Sequence, residues 1–280
     1  MTGLHSYFTQ PRFADDEPRR FWAFELLTWA MSIMTWKKNM GGDILFYGDA
    51  GGVGIVKKLG LDRYYKRVVE LRNPFDLIHS KTFWAAGKLI AMRECNAFPV
   101  VSVDLDLMVW NQLKFPKADV VGLNYDNPEF YGVVSEKYQY DFFGYSLQSP
   151  AMNAGILAFF DTDLLDIYTD ASLYFMRRFS GRAGLDTASM VFAEQKLVSV
   201  IADRLGKKRD VLFDVGEWSR YRVMSKDVTH LWDTKKYYAG DKQMRDAYIT
   251  WLGARMECIS DDWLRSWWFE MRMKGDVIYI

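Results

Sequence analysis

The 280-residue chain reads as an α/β protein built on a mostly parallel central sheet flanked by helices. Three observations carry that reading. Apolar runs of strand length alternate with amphipathic runs of helix length. Residues 98–103 form a nearly continuous Val-rich run, the pattern of a strand covered on both faces. That run ends in Asp104-Leu105-Asp106, which places acids at a strand's carboxyl end, the edge where open α/β sheets bind ligands.

Residues 3–9 read as the first strand. Asp15-Asp16-Glu17-Pro18 puts acids and a proline where a helix begins, and Phe21, Phe24, Leu27, Met31 and Met34 follow at three- and four-residue steps. That spacing predicts a helix to Asn39, stopped by Gly41-Gly42. Residues 43–47 and 67–71 read as short strands and 81–94 as a helix leading into the 98–103 strand. The run from Gly48 to Gly54 is glycine-rich but precedes no clear phosphate-binding helix start, and neither G-x-G-x-x-G after the first strand nor G-x-x-x-x-G-K-[ST] occurs. A dinucleotide or P-loop enzyme is therefore disfavoured.

Beyond the acids, residues 118–123 and 151–160 are strand candidates, 163–179 and 192–205 are helices, and 228–232 is a late strand. Residues 241–257 and 261–274 form two terminal helices, with Ser260 as a cap and Gly275 as a stop. The expected organisation is a catalytic domain over 1–240 with a helical extension over 241–280 packed on or beside it.

Composition narrows the function classes. Lys plus Arg equals Asp plus Glu at 36 each, so no global field draws nucleic acid, and an anion site must be local. Cys95 and Cys258 lie far apart and suggest neither a disulfide framework nor a cysteine-rich zinc site. Residues 1–20 hold no apolar run of signal-peptide length and no stretch reaches the roughly 20 apolar residues of a membrane span, which favours a cytoplasmic protein.

If the chain bends after Val103, Asp104 and Asp106 can face one divalent cation and the phosphates it bridges. Asn153-Ala154-Gly155 opens an apolar strand with an amide that can bond a sugar hydroxyl and small residues that admit a ligand close to the backbone. Glu194-Gln195 falls near the start of the 192–205 helix, at what reads as an exposed helix end that favours an ionised carboxylate. His230 can complete an Asp/Asp/His shell suited to manganese, and Lys235 and Lys236 can neutralise a leaving phosphate.

Taken together, these motifs resemble the GT-A glycosyltransferases, and within them the retaining group that includes glycogenin and the bacterial lipopolysaccharide galactosyltransferases. Gly87-Lys88-Leu89 is similar to the Lys-Leu helix that leads into that family's D-x-D strand. Asn153-Ala154-Gly155, Glu194-Gln195, His230 and Lys236 follow in the family's order, the lysine six residues after the histidine. Asp233 replaces the family's glycine three residues after the histidine, Tyr237-Tyr238 replaces its Pro-Trp, and Glu194 replaces an aspartate.

The resemblance implies a nucleoside diphosphate sugar donor, with a UDP-sugar favoured, and a glycan or lipid-linked acceptor hydroxyl, in glycan or polysaccharide biosynthesis. It implies that Asp106 and His230 hold Mn²⁺ or Mg²⁺ and that Asp104 shares the metal or contacts the ribose. Lys236 would meet the departing nucleotide and Lys88 the donor phosphate or sugar, while Asn153 and Gln195 orient sugar hydroxyls. Glu194 is the candidate base if the reaction inverts. Two other classes stay open: a nucleotidyl- or phosphotransferase using the same aspartates, and a non-catalytic GT-A-like binding protein. In the last helix, Trp263 and Trp267, with Leu264, Trp268 and Met271, form a broad apolar face beside Arg265, Arg272 and Lys274. It would pack on the domain or contribute peripheral membrane contact.

Overall fold

The structure, a computed structural model, describes residues 1–13, 19–72, 75–126, 147–181, 187–214, 227–258 and 262–280. Its strands are β1 (Thr2–Tyr7), β2 (Arg20–Trp22), β3 (Ile44–Gly48), β4 (Arg67–Glu70), β5 (Val100–Val103), β6 (Leu107–Val109), β7 (Val120–Asn124), β8 (Ile156–Phe159), β9 (Arg209–Phe213), β10 (Val228–His230) and β11 (Val277–Tyr279). Seven form one sheet in the order β4-β3-β1-β5-β8-β7-β9. The pairs β1/β3, β1/β5, β3/β4 and β7/β9 are parallel, while β8 runs against both β5 and β7. The expected mostly parallel α/β sheet is present. The reversal of β8 brings its start to the same edge as the ends of its neighbours.

Helices cover both faces. They are α1 (Ala23–Met40), α2 (Ala50–Lys58), α3 (Ala86–Arg93), α4 (Thr162–Phe179), α5 (Thr187–Val191), α6 (Leu197–Arg204), α7 (Lys235–Gly240), α8 (Lys242–Met256) and α9 (Asp262–Met273). Side chains of α1, α8 and α9 share one core with Val101 and Val103 of β5, whereas Val100 points into the other, with α3, α4 and α6. Burial on both faces is why this strand shows no polar alternation in sequence.

Several boundaries differ from the sequence-based expectations. The acids and proline at 15–18 lie outside the described residues, and Phe21 and Trp22 belong to β2, which pairs antiparallel with β11. The first helix therefore starts at Ala23, with the Trp22 amide donating to Glu25 Oε2 at 2.9 Å. The glycine-rich run from Gly48 does enter a helix, α2, capped by Asp49, whose Oδ1 accepts from the Gly52 amide at 2.6 Å. Glycine is a poor helix former, which hid the element, yet a Cβ at position 52 would lie 2.2 Å from the Tyr7 carbonyl oxygen. The expected cap Ser260 lies outside the described residues.

In α9 the apolar face is a packing face: Leu264, Trp267, Trp268 and Met271 are buried, and Arg245 of α8 pairs with Asp276 at 2.7 Å beside them. Among the described residues no helix is long and apolar enough to cross a membrane.

Candidate functional site

β5 delivers Asp104 to the sheet's carboxyl edge, where a tight turn, with the Leu107 amide donating to the Asp104 carbonyl at 3.0 Å, presents Asp106 beside it. β6 then pairs antiparallel with β10, setting His230 opposite Leu107, and the Leu231 amide donates to the Asp106 carbonyl at 3.1 Å. Sequence-distant His230 is thereby fixed one residue from Asp106. The reversed β8 adds its own start to this edge: the Asp104 amide donates to the Gly155 carbonyl at 2.9 Å, and Asn153 Oδ1 accepts from the Gly155 amide at 3.0 Å.

Six side chains form an alternating run of charge. Glu194 Oε1 lies 2.7 Å from Lys88 Nζ, which lies 2.6 Å from Asp104 Oδ1. Asp104 Oδ2 and Asp106 Oδ1 each lie 3.5 Å from His230 Nε2, and Asp106 Oδ2 is 2.6 Å from Lys235 Nζ. Lys88 also donates to the Ala154 carbonyl at 3.0 Å, tying α3 to the start of β8.

Burial and pairing compete at each group. Burial opposes ionisation of Asp104 and Asp106, but the charge of Lys88 on the first, and of Lys235 and His230 on the second, holds both carboxyls below the usual range. Burial opposes the Lys88 ammonium too, and Asp104 and Glu194 outweigh it, raising the lysine above its ordinary value. Glu194 behaves differently, because burial lifts its carboxyl above the ordinary value despite Lys88. At His230 burial is again the largest single effect and lowers the imidazole, yet the charges and polar contacts of Asp106 and Asp104 together raise it to about 9.

Asp104, Asp106 and His230 offer donor atoms within 4.8 Å of one another. Two hard carboxylates and one borderline imidazole form a donor set that fits Mn²⁺ or Mg²⁺. All three line a cleft of about 580 Å³, within the size range of small-molecule sites.

Against this geometry, the family model described as "Family of unknown function (DUF6734)" matches residues 19–249. The chain belongs to the DUF6734 family. No curated protein matches it. Among solved structures, it is similar to the galactosyltransferase LgtC in complex with donor and acceptor sugar analogues, at 12% identity over 82% of this chain and 86% of that one, with a TM-score of 0.45. It is also similar to mouse xyloside xylosyltransferase 1 in its apo form, at 10% identity over 81% and 96% of the two chains and a TM-score of 0.43. The PaToxG glycosyltransferase aligns at 11% identity over 99% and 88%, with a TM-score of 0.45.

In this DUF6734 chain the residues singled out from sequence converge, with two changes of position. Glu194 and Gln195 do not occupy an exposed helix end. The helix begins earlier, at Thr187, and Phe192–Lys196 makes a π-turn in which the Leu197 amide donates to the Phe192 carbonyl. The wider turn directs both side chains to the cleft, and both are buried. The Met152 amide donates to the Gln195 carbonyl at 2.9 Å, so the π-turn and the Asn153 segment form one wall. π-turns inside helices are often found at functional sites.

The second change concerns the paired lysines. Lys235 lines the cleft and grips Asp106, whereas Lys236 is absent from the lining and its Nζ lies 5.2 Å from the centre of the Tyr237 ring. Sequence reasoning also passed over Arg12, Trp84 and Trp232, all of which line the cleft. Only Trp232, two residues beyond His230, carried a positional hint.

Proposed function

We propose that this chain is a metal-dependent glycosyltransferase of the GT-A type, moving a sugar from a nucleoside diphosphate sugar, with a UDP-sugar favoured, to an acceptor hydroxyl. The observation that carries the reading is the run Glu194, Lys88, Asp104, His230, Asp106, Lys235 along the ligand edge of the sheet. Three carboxylates balance two ammonium groups and the His230 imidazolium of the metal-free protein, so a divalent cation would take the place of the imidazole proton among the same carboxylates. Asp104, Asp106 and His230 would hold Mn²⁺ or Mg²⁺. When bound there, the cation supplies positive charge toward the diphosphate of the donor.

Lys235 stands where it can exchange Asp106 for a phosphate oxygen, so charge gathering on the leaving diphosphate meets an ammonium already in place. This gives Lys235, rather than Lys236, the phosphate-facing role. Glu194 holds Lys88, and through it Asp104, in position. Asn153 and Gln195 present amides to sugar hydroxyls, and Gly155 keeps the wall beside His230 thin. In the transfer the bond from the anomeric carbon to the diphosphate oxygen breaks, a bond to the acceptor oxygen forms, and the acceptor proton passes to the departing phosphate.

The setting we propose is cytoplasmic glycan or polysaccharide biosynthesis, with a glycan or lipid-linked acceptor. The decisive experiment is a thermal-shift screen of UDP, GDP, CMP and dTDP with and without Mn²⁺, followed by nucleotide release from the matching nucleotide sugars. Metal-dependent stabilisation by one nucleotide, together with release of it from its sugar conjugate, is expected. Stabilisation by nucleoside triphosphates alone would favour a nucleotidyltransferase instead.

A further inference from the structure

Two large aromatic side chains at the cleft have no part in the charge run. Trp84 is 44% exposed and Trp232 is 48% exposed, and both line the same cleft as the Asp/Asp/His cluster. Most of the large aromatic side chains here are spent on the two cores, so leaving two indoles in water forfeits burial that the fold obtains elsewhere.

Both are held by elements that also hold the site. Trp84 lies two residues before α3, the helix that carries Lys88. Trp232 lies two residues beyond β10 and is anchored on either side, by the Leu231 amide on the Asp106 carbonyl and by the Thr234 amide on the Leu231 carbonyl at 2.7 Å. Its φ is +24°, and among the described residues it is the one non-glycine side chain with positive φ. Such a backbone costs on the order of 1–3 kcal/mol and persists where the surroundings over-determine it, often at ligand sites. On this backbone Trp232 keeps 48% of its surface open to solvent.

We infer that Trp84 and Trp232 form the acceptor subsite and that the acceptor is a neutral pyranose-containing glycan, whose apolar C–H faces lie on the indoles while its hydroxyls reach inward. This rests on the glycosyltransferase reading above. The charged residues between Lys88 and Lys235 suit the diphosphate, and the half-exposed indoles that line the same cleft offer the second substrate an apolar platform. An indole offers a flat apolar face with one polar N–H, which matches a sugar ring better than a flexible peptide hydroxyl or a phosphate.

The test uses the full chain with Mn²⁺ and the nucleoside diphosphate that stabilises it, titrated with maltose, lactose and cellobiose while tryptophan fluorescence is followed. At least one disaccharide should give a saturable change in the wild type. Trp232→Ala and Trp84→Ala should each weaken that binding about tenfold or more, Trp232→Phe should keep most of it, and nucleotide affinity should be unaltered in all three. Unchanged disaccharide binding in both alanine variants, or no binding by the nucleotide-loaded wild type, would overturn the inference. Loss of nucleotide affinity in the alanine variants would overturn it too, by showing that the rings hold the base. Failure of any nucleotide to bind the wild type would instead sink the transferase reading on which it rests.

Discussion

Gly155 stands so close to the His230 imidazole that a Cβ at position 155 would lie 2.6 Å from Cε1 and 2.7 Å from Nδ1. The ring cannot retreat freely, because it belongs to a strand paired with β6 and is itself buried. Gly155→Ala is therefore expected to tilt His230 away from Asp104 and Asp106. Mn²⁺ affinity, measured by calorimetry, should fall by about tenfold or more, as when a group that orients a ligand is disturbed. Wild-type affinity would show that His230 does not ligate the metal.

Asp106→Asn keeps the shape of the side chain and deletes the charge that faces His230 and Lys235. Nucleotide release from the donor should drop by a hundredfold or more, about 3 kcal/mol of transition-state stabilisation, with the circular dichroism spectrum unchanged. Near-normal turnover with metal dependence intact would remove Asp106 from the metal site.

The adjacent lysines separate cleanly. Lys235→Ala should reduce turnover by about a hundredfold, because in the proposed reading the ammonium that now pairs with Asp106 meets the leaving diphosphate. Lys236→Ala, directed toward Tyr237, should stay within about threefold. The reverse pattern would restore the assignment suggested by motif spacing.

Stability of the metal-free protein should peak near pH 6.5. His5 is fully buried between Tyr65 Oη and Ser32 Oγ, and burial lowers it to about 3. A depressed folded value means that the unfolded chain binds the proton first, so stability is present above 6.5 and declines as pH falls toward 3. His230 is raised to about 9, so its contribution is complete below 6.5 and declines as pH climbs through 9. Each slope is at most about 1.4 kcal/mol per pH unit. Urea unfolding across pH 4–9 measures both limbs. The acid limb should flatten in His5→Gln, and an unchanged slope would refute the buried neutral imidazole.

Membrane contact through α9, if it occurs, must use what the packing leaves outside: Phe269 at 68% and Met273 at 72% exposure, one helical turn apart. Phe269→Ser with Met273→Ser should abolish pelleting with anionic liposomes if that contact exists. Equal, negligible pelleting of variant and wild type would confine α9 to the core.

The amino-acid sequence by itself determined the α/β class, the acids at the end of β5 and the order of the motifs, since each is written in local periodicity over a few residues. It left β2, β6, β9 and β11 unread; in β2, Phe21 fits the three- and four-residue apolar spacing of the helix that follows, so the strand was absorbed into it. It misjudged α2 because three of nine residues there are glycine, a poor helix former, and Gly52 is required by its close approach to the Tyr7 carbonyl rather than by helix propensity.

Tertiary structure alone decided how the site closes. Reversal of β8 puts Asn153 and Gly155 at the same edge as Asp104, and strand direction depends on which neighbours a strand pairs with, not on its own residues. The π-turn at Phe192–Lys196 turns Glu194 and Gln195 inward through i→i+5 bonding that no residue type specifies. Lys235 and Lys236 are equivalent to any reading by composition. Successive residues of a helix differ by about 100° in direction, so the phase of α7, set by β10 docking on β6, gives one lysine to Asp106 and turns the other away.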